Sequence, residues 1–190
     1  MRKTTIDRTI SIAKASEYGF SRQKLAALLA MGKIDRVARG IYAPLGYASE
    51  TGEIEILACR GCEFVVALES ALRFHGIATT RALNVTIALK RGARTPAVDF
   101  PLQVVRLGPK SFDAGIEEHF VNGFNIRVYS AAKTVADLFM FRNKVGQDLA
   151  KEALRDGYYK HLFTVDELTK YACINRVTHI ITPYVDALFA

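Results

Sequence analysis

The stretch Ser21–Ala43, SRQKLAALLAMGKIDRVARGIYA, constrains this chain most. Ser21 is placed to cap a helix, because its hydroxyl can accept from amides that the first turn leaves unpaired. Leu25, Leu28 and Leu29 follow at i, i+3 and i+4 as an apolar stripe, with Arg22, Gln23, Lys24 and Ala27 on the other face. Gly32 stands just past the last apolar position, where helices commonly close. The segment KIDRVARGIYA alternates briefly, breaks at Arg39-Gly40 and resumes as Ile41-Tyr42, which predicts two short strands about a tight basic turn. A polar-fronted helix followed by a basic hairpin is the layout of a winged helix-turn-helix. That arrangement sets one helix in the major groove and the hairpin against the backbone.

Charge decides how this segment is read. From Met1 to Ala43 nine Lys and Arg stand against three Asp and Glu, which is six of the chain's seven net positive charges. The remaining 17 basic and 16 acidic residues nearly cancel. An excess confined to one short segment is the footprint of a polyanion partner rather than of a merely solvated surface. The candidate DNA contacts are Ser21, Arg22, Gln23 and Lys24 on the helix, Arg to guanine and Gln to adenine being the natural base pairings. Lys33, Arg36 and Arg39 on the wing are candidates for backbone or minor-groove contacts. Lys90, Arg91 and Arg94 form a second, smaller basic cluster.

A chain of 190 residues fits a small module followed by a medium domain. Half the residues are hydrophobic, enough for a packed core. No apolar run approaches membrane-spanning length and none follows Met1-Arg2-Lys3 as a signal region would. Three cysteines do not suggest a disulfide framework. The expectation is a cytoplasmic protein that does not engage a membrane.

Along the chain, Ile6, Ile10 and Ala13 predict an amphipathic helix over Thr4–Tyr18, stopped at Gly19. The turn-forming Pro44–Gly52 marks a boundary, giving a winged helix-turn-helix over 1–46 and an α+β domain over 47–190. Helices are predicted over Glu53–Arg60 and Val65–His75, and strands over Leu83–Leu89 and Leu102–Leu107. Ile116–Val121 and Phe124–Tyr129 flank Asn122-Gly123, a strong hairpin signal. Helices over Ser130–Arg142 and Gln147–Tyr158, and one after the capping box at Thr164, form a C-terminal helical cluster. A last segment sets Val177, Ile180, Ile181, Tyr184, Val185 and Leu188 on one face, with Pro183 expected to kink or restart it. The fold class is α+β.

Catalytic signals are sparse. Cys59 and Cys62 form one C-x-x-C, two of the four ligands a structural zinc needs, and read as ordinary thiols. His75, His119, His161 and His179 stand alone. Asp99, Glu117 and Glu118 could serve as carboxylate ligands, but Asp99 precedes Phe100-Pro101 and the nearby lysine, Lys90, lies upstream. No phosphate-binding or nucleophile-elbow motif is present. The reading therefore assigns no catalytic residue, metal or cofactor, and no enzymatic activity.

The motifs resemble AbiEi-type antitoxins of abortive-infection, type IV toxin–antitoxin systems. GFSRQKLAALLAMGKIDRVARGIYA is similar to that family's winged helix and its basic wing motif, with Arg39, Gly40 and Tyr42 in place. LESALRFHGI is similar to its second helix motif through Ser70, Ala71, Leu72, His75 and Gly76. VYSAAKTVADLFMFRNKVGQDLAKEALRDG is similar to its strand-then-helix region through Lys133, Thr134, Asp137 and Arg142. The resemblance implies a transcriptional autorepressor that binds inverted repeats in double-stranded DNA of its own promoter. It also implies that the C-terminal domain counteracts a cognate nucleotidyltransferase-like toxin. Two other readings stand beside it: a protein-interaction module with a basic N-terminus, and an enzyme on nucleic acid that uses Lys90, Arg91 and Arg94 as phosphate contacts.

Overall fold

A computed structural model describes residues 6–47, 49, 51–77 and 84–188. The fold is α+β, with two sheets and helices before, between and after the strands. The chain divides into two compact units. Unit 1 comprises Met1–Cys62, Pro96–Phe100 and Phe120–Ile126; unit 2 comprises Glu63–Thr95, Pro101–His119 and Arg127–Ala190.

In unit 1, β1 (Ile10–Ser11) leads through a 3-10 helix (Ala15–Tyr18) to α1 (Arg22–Ala30), then β2 (Ile34–Ala38), β3 (Ile41–Pro44) and α2 (Gly52–Cys59). The three strands form an antiparallel sheet in the order β1-β3-β2. Ile6, Ile10, Ala15, Phe20, Leu25, Leu28 and Ile34 make one core beneath it. The helix expected over Thr4–Tyr18 is corrected over its described part, 6–18; Thr4 itself lies outside the described residues. Ile10 pairs with Tyr42 and Ser11 with Ile41, and the Ile12 amide donates to the Gly40 carbonyl at 2.8 Å. Strand pairing fixes these residues where local periodicity alone suggested a helix. It also buries Ser11, which a helix with Ile6, Ile10 and Ala13 inward would have exposed. Leu29 is corrected too: it is 36% exposed, and Leu25 and Leu28 alone carry the buried face of α1.

In unit 2, β4 (Val65–Val66) precedes α3 (Leu68–Phe74), correcting the single helix expected over Val65–His75. Then come β5 (Val85–Lys90), β6 (Leu102–Leu107), α4 (Pro109–Phe112), β7 (Ile116–Val121) and β8 (Phe124–Tyr129). Leu83, at the start of the expected β5 strand, lies outside the described residues. These strands form a mixed sheet ordered β6-β5-β4-β8-β7, parallel at β5–β6 and β4–β8 and antiparallel at β4–β5. The tip of the β7–β8 hairpin counts with unit 1. There Asn122 and Gly123 both take positive φ, 51° and 87°, as the two-residue hairpin turn requires.

The helical cluster is α5 (Ala131–Met140), α6 (Arg142–Val145), α7 (Gln147–Tyr159), α8 (Val165–Ile174) and α9 (Thr178–Asp186). Ser130 caps α5, Thr164 and Glu167 close a reciprocal capping box on α8, and α9 runs through Pro183 as one helix. Every side chain from Ala131 to Phe139 is buried, so α5 is the helix about which unit 2 packs. Among the described residues no helix is long and apolar enough to cross a membrane.

Candidate nucleic-acid interface

The entry to α1 is built by local chemistry. Gly19 takes φ 78°, the left-handed turn that ends the 3-10 helix, and the Phe20 amide donates to the Ala15 carbonyl at 2.9 Å. Ser21 follows in extended conformation, and its Oγ accepts from the Lys24 amide at 3.1 Å. Arg22, Gln23 and Lys24 are thereby the first three helical residues. No acidic residue lies in that turn, so the positive end of the helix dipole is reinforced rather than cancelled. Arg22 and Gln23 are exposed; Lys24 is half-buried, its ammonium 4.6 Å from the centre of the Phe20 ring. Behind them Ala26, Ala27 and Ala30 are exposed, leaving a thin face free of bulky side chains.

The far end of α1 closes as a Schellman motif. Gly32, at φ 62°, donates to the Leu29 carbonyl, and the Lys33 amide reaches the Leu28 carbonyl at 2.9 Å. This hands the chain directly into β2. The register Ile34↔Pro44, Asp35↔Ala43 and Arg36↔Tyr42 then slips to Ala38↔Ile41, and Arg39-Gly40 forms the turn with Gly40 at φ 74°. The slip leaves Val37 outside the pairing at 40% exposure.

Lys33, Arg36 and Arg39 are all exposed on this arm. The acid among them, Asp35, is engaged elsewhere: its Oδ2 accepts from the Gly46 amide at 2.9 Å. The segment from Ser11 to Phe20 ties the two arms together, since Ile12 holds the Gly40 carbonyl and Phe20 runs into the cap of α1. Six of the seven candidate residues thus present charge or hydrogen-bonding groups from unit 1. Ser21 supports them by fixing the helix start.

The second cluster divides. Lys90 is paired with Asp113 at 3.1 Å and Glu63 at 3.7 Å, and its ammonium lies 5.2 Å from the centre of the Phe112 ring. Arg91 and Arg94 are exposed. Sequence spacing could not separate these roles, because Glu63 and Asp113 reach Lys90 only through the fold.

Elsewhere the residues weighed for chemistry do not converge. Among the described residues no three His, Cys, Asp or Glu side chains are placed to hold a metal ion. Burial, with the Glu55 charge adding and Lys14 opposing, pushes the Cys59 thiol up to about 11, which disfavours the thiolate that a nucleophile or metal ligand needs. A cleft of about 560 Å³ in unit 1 is lined by Thr9, Tyr47, Ser49 and Glu53 among apolar neighbours, and among its described lining residues there is no histidine or cysteine to pair with the carboxylate. No protein-family model matches the chain, and no curated protein matches it.

Proposed function

We propose that this protein is a DNA-binding transcriptional autorepressor and the antitoxin of a type IV toxin–antitoxin pair, with unit 1 as its DNA-binding element. The N-terminal arrangement is read as a reduced winged helix-turn-helix in which α1 is the recognition helix and β2–β3 the wing. The observation that carries this reading is the exposure, within one unit, of Arg22 and Gln23 on the first turn of α1 and Lys33, Arg36 and Arg39 on the β2 arm. Their nearby acid is engaged by a backbone amide. Gln23 and Arg22 would read base edges in the major groove, and the wing cations would hold phosphates. The alanines behind Gln23 let the helix axis approach the bases closely.

The antitoxin role, the nucleotidyltransferase-like toxin as its target, and an operator of inverted repeats in the protein's own promoter all follow from the family resemblance. This reading needs no cofactor and no catalytic step. A mobility shift on DNA from upstream of the gene, with random DNA as competitor at two salt concentrations, tests it. Specific, salt-sensitive binding is expected, and rescue of growth from the neighbouring toxin is the next assay. Binding that random DNA competes equally would leave a basic module without an operator.

A further inference from the structure

We propose that the outer edge of β6 accepts an extended, acidic peptide segment of a partner protein as an added strand. Among the described residues the strand order leaves β6 paired on one side only. Leu102–Leu107 runs in unbroken parallel register with Val85–Lys90, so the edge carries no bulge, and no proline lies within it. Bulges and prolines are the usual devices that blunt an open edge. Beyond its ladder, the backbone bonds at the ends of β6 are Val85 to the Pro101 carbonyl and Arg91 to the Leu107 carbonyl, both on the β5 side. Among the described residues no backbone–backbone bond engages the other row of amides and carbonyls.

Charge selects the partner. Arg91, Arg94, Arg106 and Lys110 are exposed and gather about the C-terminal end of β6. The Arg91 amide is bonded to Leu107, Arg106 donates to Thr95 Oγ1 at 2.8 Å beside Arg94, and Lys110 lies on the α4 turn that follows. The local acids are already engaged: Asp113 and Glu63 hold Lys90, and Glu63 also holds Arg127 at 3.3 Å. Among the described residues no carboxylate pairs with Arg91, Arg94, Arg106 or Lys110.

A second copy of this edge would bring like charges together, which opposes self-pairing. Nucleic acid has no amide row to complete the ladder. An extended peptide with alternating carboxylates satisfies both features, main-chain bonds giving affinity and side-chain charge giving selectivity. The inference stands apart from the DNA-binding reading.

The test uses the full chain and a fluorescein-labelled peptide of alternating valine and glutamate, followed by fluorescence anisotropy. The same peptide N-methylated at alternate amides serves as the second probe. Saturable one-to-one binding is expected, weakened about tenfold or more by Arg91→Glu with Arg94→Glu and by N-methylation. The milder Arg91→Gln with Arg94→Gln pair should weaken it in the same direction, and circular dichroism checks that each variant is folded. Equal binding of the methylated peptide would reduce the surface to bare charge. Equal binding by the charge variants would move the site elsewhere. Either result, or no binding, overturns the proposal. Two further controls can also overturn it. Displacement by oligothymidylate that the charge-reversed protein no longer binds would assign the patch to nucleic acid. Self-association in sedimentation that the same variant abolishes would assign it to a second copy.

Discussion

Glu55 shows how one side chain can hold a unit together. It is fully buried, and its Oε2 accepts from Thr9 Oγ1 at 2.8 Å. Its Oε1 accepts from Ser49 at 2.8 Å, Asn122 at 2.9 Å, Thr51 at 3.0 Å and Tyr47 at 3.3 Å. Those donors come from the segment before β1, the chain after β3 and the hairpin tip, all within unit 1. Burial alone would raise this carboxyl, but the hydrogen bonds from Asn122, Thr9, Ser49 and Thr51 outweigh it and hold it below the ordinary 4.5. A carboxyl lowered on folding contributes stability that is complete above its ordinary value and is lost as pH falls through the folded one. Thermal unfolding should therefore show unit 1 weakening as pH drops below about 4.5. Glu55→Gln turns an acceptor towards its donors as a competing amide and should cost about 2–4 kcal/mol at pH 7. The variant should also lose less on acidification than the parent. An acid loss equal in both proteins would remove Glu55 as its cause.

Among the elements, α5 depends on a polar string inside an apolar shell. Lys133 Nζ lies 2.5 Å from Asp137 Oδ1, Asn175 Nδ2 donates to the same oxygen at 2.6 Å, and Ser111 donates to Asn175 at 2.6 Å. Burial pulls Lys133 down and Asp137 up, each towards its neutral form, while their mutual attraction opposes both shifts. Lys133→Met would strand a buried carboxyl and should cost about 3–5 kcal/mol in urea unfolding. Adding Asp137→Leu should recover part of that loss, and a double variant weaker than the single one would refute the pairing argument. In α7, helix propensity favours Gly157→Ala by about 1 kcal/mol. Its new Cβ would sit 2.5 Å from Cε1 of the buried Phe163 ring, however, and overpacking of that kind costs about 1–3 kcal/mol. The clash should win, and Tm should fall. Elements with local causes were legible in sequence: the Ser21, Ser130 and Thr164 caps and the Asn122-Gly123 turn each act within a few residues. β1 and β4 were not, because two-residue strands have no period and form only by pairing with β3 and with β5 and β8.

At the scale of the whole molecule, the charge asymmetry read from sequence names candidate residues but not their availability. Arg36 and Arg39 are exposed, as their place in a basic turn suggests. Lys90 looked equivalent to Arg91 in sequence, yet Glu63 and Asp113 neutralise it across the fold, and Arg106 with Lys110 joins the patch only through strand pairing. If DNA binds through unit 1, its salt dependence should follow the unit 1 cations alone. Each phosphate contact on duplex DNA contributes about 0.9 to the slope of log affinity against log salt. Arg36→Ala with Arg39→Ala should therefore lower the slope by about two and weaken operator and random DNA alike. Gln23→Ala, at a neutral residue, should leave the slope unchanged and weaken the operator alone by about 1–3 kcal/mol. Arg91→Ala with Arg94→Ala should change neither quantity. A slope that drops with Arg91 and Arg94 but not with Arg36 and Arg39 would move the DNA contact out of unit 1 and take the recognition-helix assignment of α1 with it.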